Sequence, residues 1–396
     1  MKTFYLSVLV FVLSLQSINA QWQQVYTIPV WIYTFTATGN NIFLGASSSG
    51  LHSSTNNGIN WSQGTLSSTV YSLAVSGGYM YAGQGGNGIF RSTNNGINWV
   101  QTPLNNRFIR TIAVSGATVI AGTSSANNEI YASTNNGSNW SIVSSITGEV
   151  HSLAISGSYI YAGGNPVGVF ISTNNGANWQ QSTLNSGIVR SIATNGSNIY
   201  AGTNSGLFIS SNYGTNWIES SLSTQYIYSA VVSGANIYAA TGTSGVYVSN
   251  NNGANWMQRN EGFGGLNVQN IFISGSYMYA SAYSGSNHTV FRRSLSELTG
   301  ILQTSQEIPL FFSLSQNYPN PFNPVTNIEF SVPKSAFVRL AVFDVSGREI
   351  EILVSDKLTP GTYNADWDAS KYSSGIYFYT ITSGSFRETK RMMLVK

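Results

Sequence analysis

Short apolar stretches separated by polar turns run along most of the chain. Stretches such as Val70–Val75 and Tyr79–Ala82 alternate apolar with small or polar residues, and a glycine turn lies between them. A period of two residues, with β-branched and aromatic side chains between Gly and Asn turns, predicts β-strands rather than helices. The pattern therefore predicts an all-β chain.

An eight-residue box occurs six times and sets the spacing of these strands. Its first copy reads Ser54-Thr-Asn-Asn-Gly-Ile-Asn-Trp61, and successive box tryptophans are 38, 41, 39, 38 and 39 residues apart. The box asparagines and tryptophans are Asn56, Trp61, Asn94, Trp99, Asn135, Trp140, Asn174, Trp179, Asn212, Trp217, Asn251 and Trp256. Each unit has room for four strands, which is the blade of a β-propeller.

The number of blades depends on how the two ends of the repeat region meet. Trp22 lies 39 residues before Trp61, in phase with the series, but no box precedes it. The last unit, Val268–Leu295, has three strands' worth of pattern and no tryptophan. We therefore expect the segment at Trp22 to supply the outer strand of the last blade. This predicts a seven-bladed propeller over residues 21–298, closed without unpaired strand edges.

The box resembles the Asp-box of BNR-type propellers, with Asn in place of Asp. In that family the box forms the turn between the third and fourth strands of a blade, and the resemblance implies the same turn here. Asn can hydrogen-bond to its own backbone and tolerates left-handed geometry, while Gly supplies a positive φ. Because the substitution removes all six carboxylates, we expect the boxes to be structural and to bind no calcium.

The two ends of the predicted propeller differ in variability. Because strands alternate in direction, the Ser-Gly turn after each first strand and the box after each third strand share one end. The loops after the second and fourth strands share the other end, and they vary between units, as in Gly83–Asn87 and Ser281–Asn287. Uniform turns maintain a fold, so a ligand site is expected at the variable end.

Aligning the units on their turn glycines isolates one variable position near the start of each innermost strand. The residues are Tyr33, Tyr71, Arg110, His151, Arg190, Tyr228 and Gln269, and two positions earlier lie Trp31, Phe108 and Glu149. Since innermost strands surround the central channel, the first set should converge on one mouth of it. Aromatic faces with Arg and Gln donors suit a sugar or an anionic ligand. The alternative is that these side chains only fill the channel or face solvent.

The last part of the chain has a different composition. Residues 21–298 contain seven Arg, five Glu and no Lys or Asp, whereas residues 313–396 contain nine basic and eight acidic residues. The segment opens Leu314-Ser-Gln-Asn-Tyr-Pro-Asn-Pro and ends Lys390-Arg-Met-Met-Leu-Val-Lys396. It resembles the type A C-terminal sorting domain of the type IX secretion system of Gram-negative bacteria. The resemblance implies a small Ig-like β-sandwich over 314–396, recognised by the secretion machinery, after a linker at 299–313. The alternative is an adhesion module without a sorting role.

The N-terminus has the layout of a secretory signal peptide. Lys2 precedes an apolar run, Phe4–Leu15, which is short for a membrane span, and Ala20 marks a cleavage point. Residues 1–20 are thus predicted to be removed, and no later segment is apolar enough to span a membrane. We expect a chain that is secreted or attached to the outer surface of a Gram-negative cell.

Composition narrows the chemistry that this chain can carry out. The chain has no cysteine, and its net charge of +3 is too small to indicate nucleic-acid binding. His52, His151 and His288 fall on three different blades, so we expect neither a metal nor another cofactor. Three functions remain: a propeller that binds a glycan or protein ligand, a BNR-type glycoside hydrolase, and an assembly factor resembling photosystem II propellers. We favour the first, because hydrolases need paired carboxylates and only Glu149 lies near the channel.

Overall fold

The computed structural model describes residues 21–124, 128–146, 148–234, 236–250, 252–254, 256–285, 287–298, 301–305, 307–369 and 372–396. The predicted signal peptide and the box residue Asn251 lie outside the described residues. Regular structure in the described chain consists of β-strands and one short helix, α1 (Leu295–Leu298). The chain is all-β, as the alternating pattern predicted.

Seven four-stranded antiparallel sheets follow one another in the first three quarters of the chain. In chain order their strands are β1 (Gln23–Ile28), β2 (Ile32–Thr38), β3 (Asn41–Ala46), β4 (Gly50–Ser54), β5 (Ser62–Gln63), β6 (Val70–Ser76), β7 (Tyr79–Gln84), β8 (Gly88–Ser92), β9 (Val100–Gln101), β10 (Ile109–Ser115), β11 (Thr118–Thr123), β12 (Glu129–Ser133), β13 (Ser141–Ser145), β14 (Glu149–Ser156), β15 (Tyr159–Asn165), β16 (Gly168–Ser172), β17 (Gln180–Gln181), β18 (Val189–Asn195), β19 (Asn198–Thr203), β20 (Gly206–Ser210), β21 (Ile218–Glu219), β22 (Ser229–Ser233), β23 (Asn236–Ala240), β24 (Val246–Ser249), β25 (Met257–Gln258), β26 (Asn267–Ser274), β27 (Tyr277–Ser284) and β28 (Asn287–Ser294).

These sheets are the blades of a β-propeller. Blades 1 to 6 contain β2–β5, β6–β9, β10–β13, β14–β17, β18–β21 and β22–β25 in that order, and blade 7 contains β26, β27, β28 and β1. The first strand of each blade packs against the first strand of the next, and β26 of blade 7 packs against β2 of blade 1. The innermost strands thus form a closed ring around a central channel.

The N-terminal strand closes the ring. Strand β1 pairs with β28 on the outside of blade 7, with Gln24 opposite Phe291. Trp22, just before β1, is 3% exposed and stacks on Phe263 with ring centroids 4.6 Å apart. Its backbone N–H donates to the Glu261 carbonyl and its indole N–H to the Arg259 carbonyl, both at 2.7 Å. The first and last strands of the propeller are therefore joined by packing as well as by a strand ladder.

Hydrophobic clusters between neighbouring blades form the core of the propeller. Between blades 1 and 2, for example, Phe43 and Leu51 pack with Val70 and Met80. Blades 1 to 5 approach the next blade closely because a glycine lies on each of their second strands: a Cβ at Gly83 would come within 2.6 Å of Ile109 in the next blade. The branched side chain before the variable position of the next blade fills the space that each such glycine leaves, which explains the Ile or Val at Val70, Ile109, Val150, Val189 and Ile227.

The described boxes form one repeated hydrogen-bonded turn. In the first box, Ser54 Oγ accepts the Gly58 N–H at 2.9 Å, and Asn56 Oδ1 accepts the Asn60 N–H at 2.9 Å. The amide oxygens of Asn94, Asn135, Asn174 and Asn212 make the equivalent bond. The box tryptophans pack on the interblade clusters, and the indoles of Trp61, Trp99, Trp140 and Trp179 donate to the box glycine carbonyl. The Trp217 and Trp256 indoles pack similarly, but within the described part of the chain their N–H groups have no hydrogen-bond partner.

Two further four-stranded sheets form a β-sandwich at the C-terminus. Their strands are β29 (Ile301–Ser305), β30 (Ser313–Leu314), β31 (Val325–Val332), β32 (Ala336–Phe343), β33 (Glu349–Leu358), β34 (Gly361–Asp368), β35 (Gly375–Ser383) and β36 (Phe386–Leu394). One sheet has the order β29-β34-β31-β30 and the other β33-β32-β35-β36. A single buried cluster, including Phe330, Leu340, Trp367 and Tyr379, fills the space between them.

The predicted linker at 299–313 is partly wrong. Residues Ile301–Ser305 form β29, which pairs with β34 and extends one sheet of the sandwich. The physical reason is that β34 would otherwise present an unpaired edge, which a preceding chain segment can cover at little cost. The short segment 307–312 remains without regular structure.

Candidate functional site

A β-bulge at the start of the innermost strand turns the variable position toward the channel. In blade 3, Ile109 pairs with Thr123 and Thr111 with Gly122, so Arg110 between them is an extra residue without a partner. The same register shift occurs at Tyr33, Tyr71, His151, Arg190 and Gln269. A bulge breaks the alternation of side chains and redirects the extra one. The variable residue therefore points inward while the residues on both sides stay in the blade.

The structure brings eight of the ten predicted residues together at one cavity of about 280 Å³. They are Trp31, Tyr33, Tyr71, Arg110, His151, Arg190, Tyr228 and Gln269. We call this cavity the channel mouth. Phe108 and Glu149 do not line it. Phe108 packs at a tilt against Tyr71 with ring centroids 4.5 Å apart, and the exposed Glu149 bonds to His151, so each contacts a lining residue without lining the cavity itself.

Two arginines face the channel mouth from blades 3 and 5. The Arg110 guanidinium lies 5.8 Å from the centre of the Tyr71 ring, and that of Arg190 lies 5.4 Å from the Tyr228 ring. Arg190 also donates through Nε to Asn204 Oδ1 at 2.7 Å. Within the described residues, neither arginine is ion-paired with a carboxylate. Their remaining N–H groups are thus available to an anion.

His151 lies between the two arginines and is held by Glu149. Its Nε2 is 3.1 Å from a Glu149 carboxylate oxygen, and Ser124 donates to the other oxygen at 2.9 Å. Burial lowers the pKa of His151, and the charges of Arg110 and Arg190 lower it further, against the opposing effect of Glu149. The hydrogen bonds from His151 and Ser124 lower the pKa of Glu149. At neutral pH the group therefore has two fixed positive charges, a neutral imidazole and a carboxylate.

An aromatic platform borders the same mouth on the blade 7 side. Trp31 is 42% exposed and stacks on Tyr283 with ring centroids 4.8 Å apart, and it packs at a tilt of 55° against His288 at 4.5 Å. His288 is 1% exposed, neither of its ring nitrogens has a hydrogen-bond partner among the described residues, and burial lowers its pKa to about 4. Its imidazole is therefore neutral and supports Trp31 through a tilted ring contact.

Sequence reasoning missed the partners that fix these side chains. Ser124, Asn204 and Tyr283 follow or end the second strands of blades 3, 5 and 7, in the loops that vary between units. The location of these loops at the mouth was predicted, but their individual contacts were not, because a loop sequence has no period that would indicate where its side chains point.

A second missed feature is a set of hydrogen bonds between neighbouring innermost strands, just below the mouth. Ser72 accepts the Ile112 N–H at 2.9 Å, Ser191 accepts the Ala230 N–H at 3.0 Å, and Asn270 donates to the Ile32 carbonyl at 3.0 Å. Each of these bonds joins the innermost strands of neighbouring blades. The Ser or Thr after six of the seven variable positions was the available signal for these bonds, which help to fix the spacing of the mouth residues.

The fold defines the class of protein: a β-propeller followed by a small β-sandwich. Residues 14–153 match the DUF6242 beta propeller domain, and residues 316–396 match the secretion system C-terminal sorting domain. No curated protein matches the chain in sequence. The two family matches confirm the propeller and the sorting domain, while the Asp-box resemblance stays a prediction.

Solved β-propellers resemble the chain in fold. A catalytically inactive virginiamycin B lyase from Staphylococcus aureus, solved with quinupristin, has a TM-score of 0.57 at 10% identity, over 68% of this chain and 98% of that chain. The WD40 beta propeller domain of Doa1 has a TM-score of 0.52 at 11% identity, over 70% and 98%. The extracellular domain of BT4673 from B. thetaiotaomicron has a TM-score of 0.56 at 15% sequence identity. The match covers 79% of this chain but only 46% of that chain. At such identities the similarity shows the fold alone.

The sorting domain also indicates where the protein goes. It implies association with the type IX secretion machinery and export, so the protein is secreted or located at the cell surface. Among the described residues, no helix has the length and apolar character of a membrane span.

Proposed function

We propose that this protein is an exported binding module of a Gram-negative cell, and that its channel mouth binds an acidic glycan. The observation that supports this most directly is the pair of half-buried arginines, Arg110 and Arg190, facing one cavity without a carboxylate partner among the described residues. Guanidinium groups bind carboxylates and sulfates through two parallel hydrogen bonds. A cavity of about 280 Å³ is large enough for one sugar residue with such a group, but not for a protein segment.

The aromatic side chains account for the sugar part of this ligand. Tyr33 and Tyr71, with ring centroids 4.6 Å apart, and the exposed Trp31 offer flat apolar faces beside the cationic groups. A sugar ring has apolar C–H faces and a polar rim, so it can contact both kinds of group at once. A small inorganic anion would use the arginines but leave the aromatic faces uncovered.

Hydrolysis is less well supported than binding. Retaining and inverting glycosidases place two carboxyl groups within about 5–10 Å of each other across the bond that breaks. None of the described residues that line the channel mouth is an Asp or Glu, and the nearby Glu149 is hydrogen-bonded to His151 and Ser124. The assembly-factor alternative has no site-level observation in its favour, and the sorting domain argues against it.

The double change Arg110→Ala and Arg190→Ala should remove binding of an acidic glycan found on a glycan array. Each charged hydrogen bond contributes roughly 1.5–3 kcal/mol, so losing two should weaken binding about 100-fold or more. The melting temperature should change little, because both side chains are only half-buried at a polar mouth. Calorimetric titration of the purified protein measures the first effect and a thermal melt the second.

Arg91→Ala is the matched control for this experiment. Arg91 also lies over a tyrosine, Tyr79, at 5.4 Å, but it belongs to the third strand of blade 2, away from the mouth. It should leave glycan affinity unchanged. If affinity for the acidic glycan survives the double change, the glycan does not bind at the channel mouth. If affinity is lost instead on mutating the box residues Asn94 or Asn174, the site lies at the opposite end of the propeller.

Affinity for a sulfated glycan should rise as the pH falls below the lowered pKa of His151. Protonation adds a third positive charge between Arg110 and Arg190, while the sulfate stays ionised. The added charged hydrogen bond should strengthen binding by roughly ten-fold. His151→Gln keeps a hydrogen-bonding side chain but cannot titrate, so its affinity should be flat between neutral and mildly acidic pH. An equal rise in that variant would show that another group is responsible.

A further inference from the structure

One box residue departs from the other five at a backbone position that restricts side chains. The residue before the box glycine has φ between 52° and 57° in every described box. In five boxes it is an asparagine: Asn57, Asn95, Asn136, Asn175 and Asn252. In the fifth box it is Tyr213, with φ of 57°. Asn is the non-glycine residue that best tolerates left-handed geometry, whereas an aromatic side chain is disfavoured there.

Tyr213 forms an exposed aromatic pair across the boundary of blades 4 and 5. Its ring stacks on Tyr159 with centroids 4.6 Å apart and planes at 17°, and 41% of Tyr213 stays exposed. The pair borders a groove of about 340 Å³. The polar side chains that line it include Thr173, Asn178, Gln180, Gln181, Thr183 and Thr215. None of the described lining residues is charged.

The covering of Tyr159 differs from that of its counterparts in two other blades. Tyr79 and Tyr277 hold the same place in blades 2 and 7 as Tyr159 does in blade 4. There an arginine covers the ring, Arg91 at 5.4 Å and Arg292 at 4.6 Å. Each arginine also donates to the carbonyl of a box asparagine in the next blade. In blade 4 Ile171 holds the place of these arginines, so Tyr213 covers Tyr159 instead, whereas an arginine there would cover the ring and keep the favourable asparagine.

The neighbouring groove offers an internal comparison. Between blades 5 and 6, Asn198 and Asn252 take the places of Tyr159 and Tyr213, and Glu219 with the exposed Ile218 lines the cavity. That groove has neither the aromatic pair nor an uncharged lining. The strained tyrosine thus coincides with the one of these two grooves that is neutral and rich in amides and hydroxyls.

We propose that the groove between blades 4 and 5 is a second binding site, for a neutral oligosaccharide. A sugar ring would rest on the exposed part of Tyr213, and its hydroxyls would bond to the side chains of Gln180 and Asn178. Amides and hydroxyls both donate and accept, which matches neighbouring sugar hydroxyls. A peptide fits less well, because the adjoining edge strand β17 has only two residues, too few for strand addition. This site is independent of the channel mouth.

Tyr213→Asn in the full chain is the sharpest test, because it restores the residue of the other five boxes. The probes are neutral cello-, xylo- and mannooligosaccharides on an array, followed by calorimetric titration. We expect the wild-type protein to bind at least one of them, and the variant to lose at least ten-fold in affinity with an equal or higher melting temperature. Binding should not weaken with added salt, since no charge is involved.

Two further variants separate this site from its surroundings. Gln180→Ala changes an exposed side chain outside the core, so it should weaken the same binding even if the Tyr213 variant folds poorly. The double change at Arg110 and Arg190 should leave it intact. The proposal would be overturned if the wild type bound none of the neutral probes. It would also be overturned if Tyr213→Asn and Gln180→Ala both bound them as tightly as the wild type does. Binding confined to a proline-rich peptide library, and lost in Tyr213→Asn, would overturn the sugar assignment.

Discussion

Deleting Gln21–Val25 should open the propeller and lower the melting temperature of the mature chain by roughly 10 °C or more. The deletion removes Trp22, which is buried against Phe263 and makes two hydrogen bonds to the 259–261 segment. Removing a buried tryptophan costs about 3–5 kcal/mol, and each kcal/mol is worth about 2–4 °C in a domain of this size class. The deletion also uncovers an edge of β28, so soluble yield should fall with stability. A thermal melt and the soluble fraction measure the two effects.

The matched control replaces side chains of the same segment but keeps its backbone. Gln23→Ala with Gln24→Ala changes two exposed side chains of β1 and leaves its ladder with β28 in place. We expect this variant to melt close to the wild type, and Trp22→Ala to account for most of the effect of the deletion. A deletion variant with an unchanged melting temperature would show that the ring does not depend on its N-terminal strand.

Removing the C-terminal part of the chain should leave a folded propeller inside the periplasm. The cut belongs after Leu298, because Leu295 and Leu298 are buried in the cluster of blades 6 and 7, whereas β29 pairs within the sandwich. The hydrophobic clusters of the two parts share no residue, so the propeller keeps its whole core. Because the sorting domain lies in the removed segment, the truncated chain should still cross the inner membrane but should no longer cross the outer membrane.

Cell fractionation with an antibody to the propeller tests this expectation. The full chain should be outside the cell or on its surface, and the truncated chain in the periplasm. Resistance of the periplasmic material to protease distinguishes a failure of sorting from a failure of folding. Equal amounts of both forms outside the cell would contradict a sorting role. A cut at residue 314 instead would leave β29 without its partner, so it is the less informative truncation.

The repeat of the sequence determined most of the propeller. The box spacing fixes the blade length, because each blade must present the same packing surfaces to its two neighbours. The phase of Trp22 relative to Trp61 indicated that the first strand closes the last blade, and the structure pairs β1 with β28. Blade length and ring closure can be predicted from the sequence because side chains alternate between the two faces of a strand and because each blade repeats as a unit.

The candidate site was predictable in its residues but not in its geometry. Alignment of the units identified Arg110, His151 and Arg190 as a set, since variation within a uniform repeat marks a position released from packing. The bulge that turns each of these side chains inward leaves no clear mark in the residue pattern, because it depends on how two strands pair. The contact between Glu149 and His151 follows from this redirection of the His151 side chain by the bulge.

Only the tertiary structure decided where segments distant in sequence meet. The strand at Ile301–Ser305 resembles a linker in the sequence, and it is a strand because β34 offers it an open edge. Tyr213 resembles an ordinary variation of the box until its ring is found on Tyr159 of the preceding blade. The sequence states only which residues are adjacent along the chain. Pairing, stacking and burial depend on neighbours across strands and blades, so these features exist only once the ring has closed.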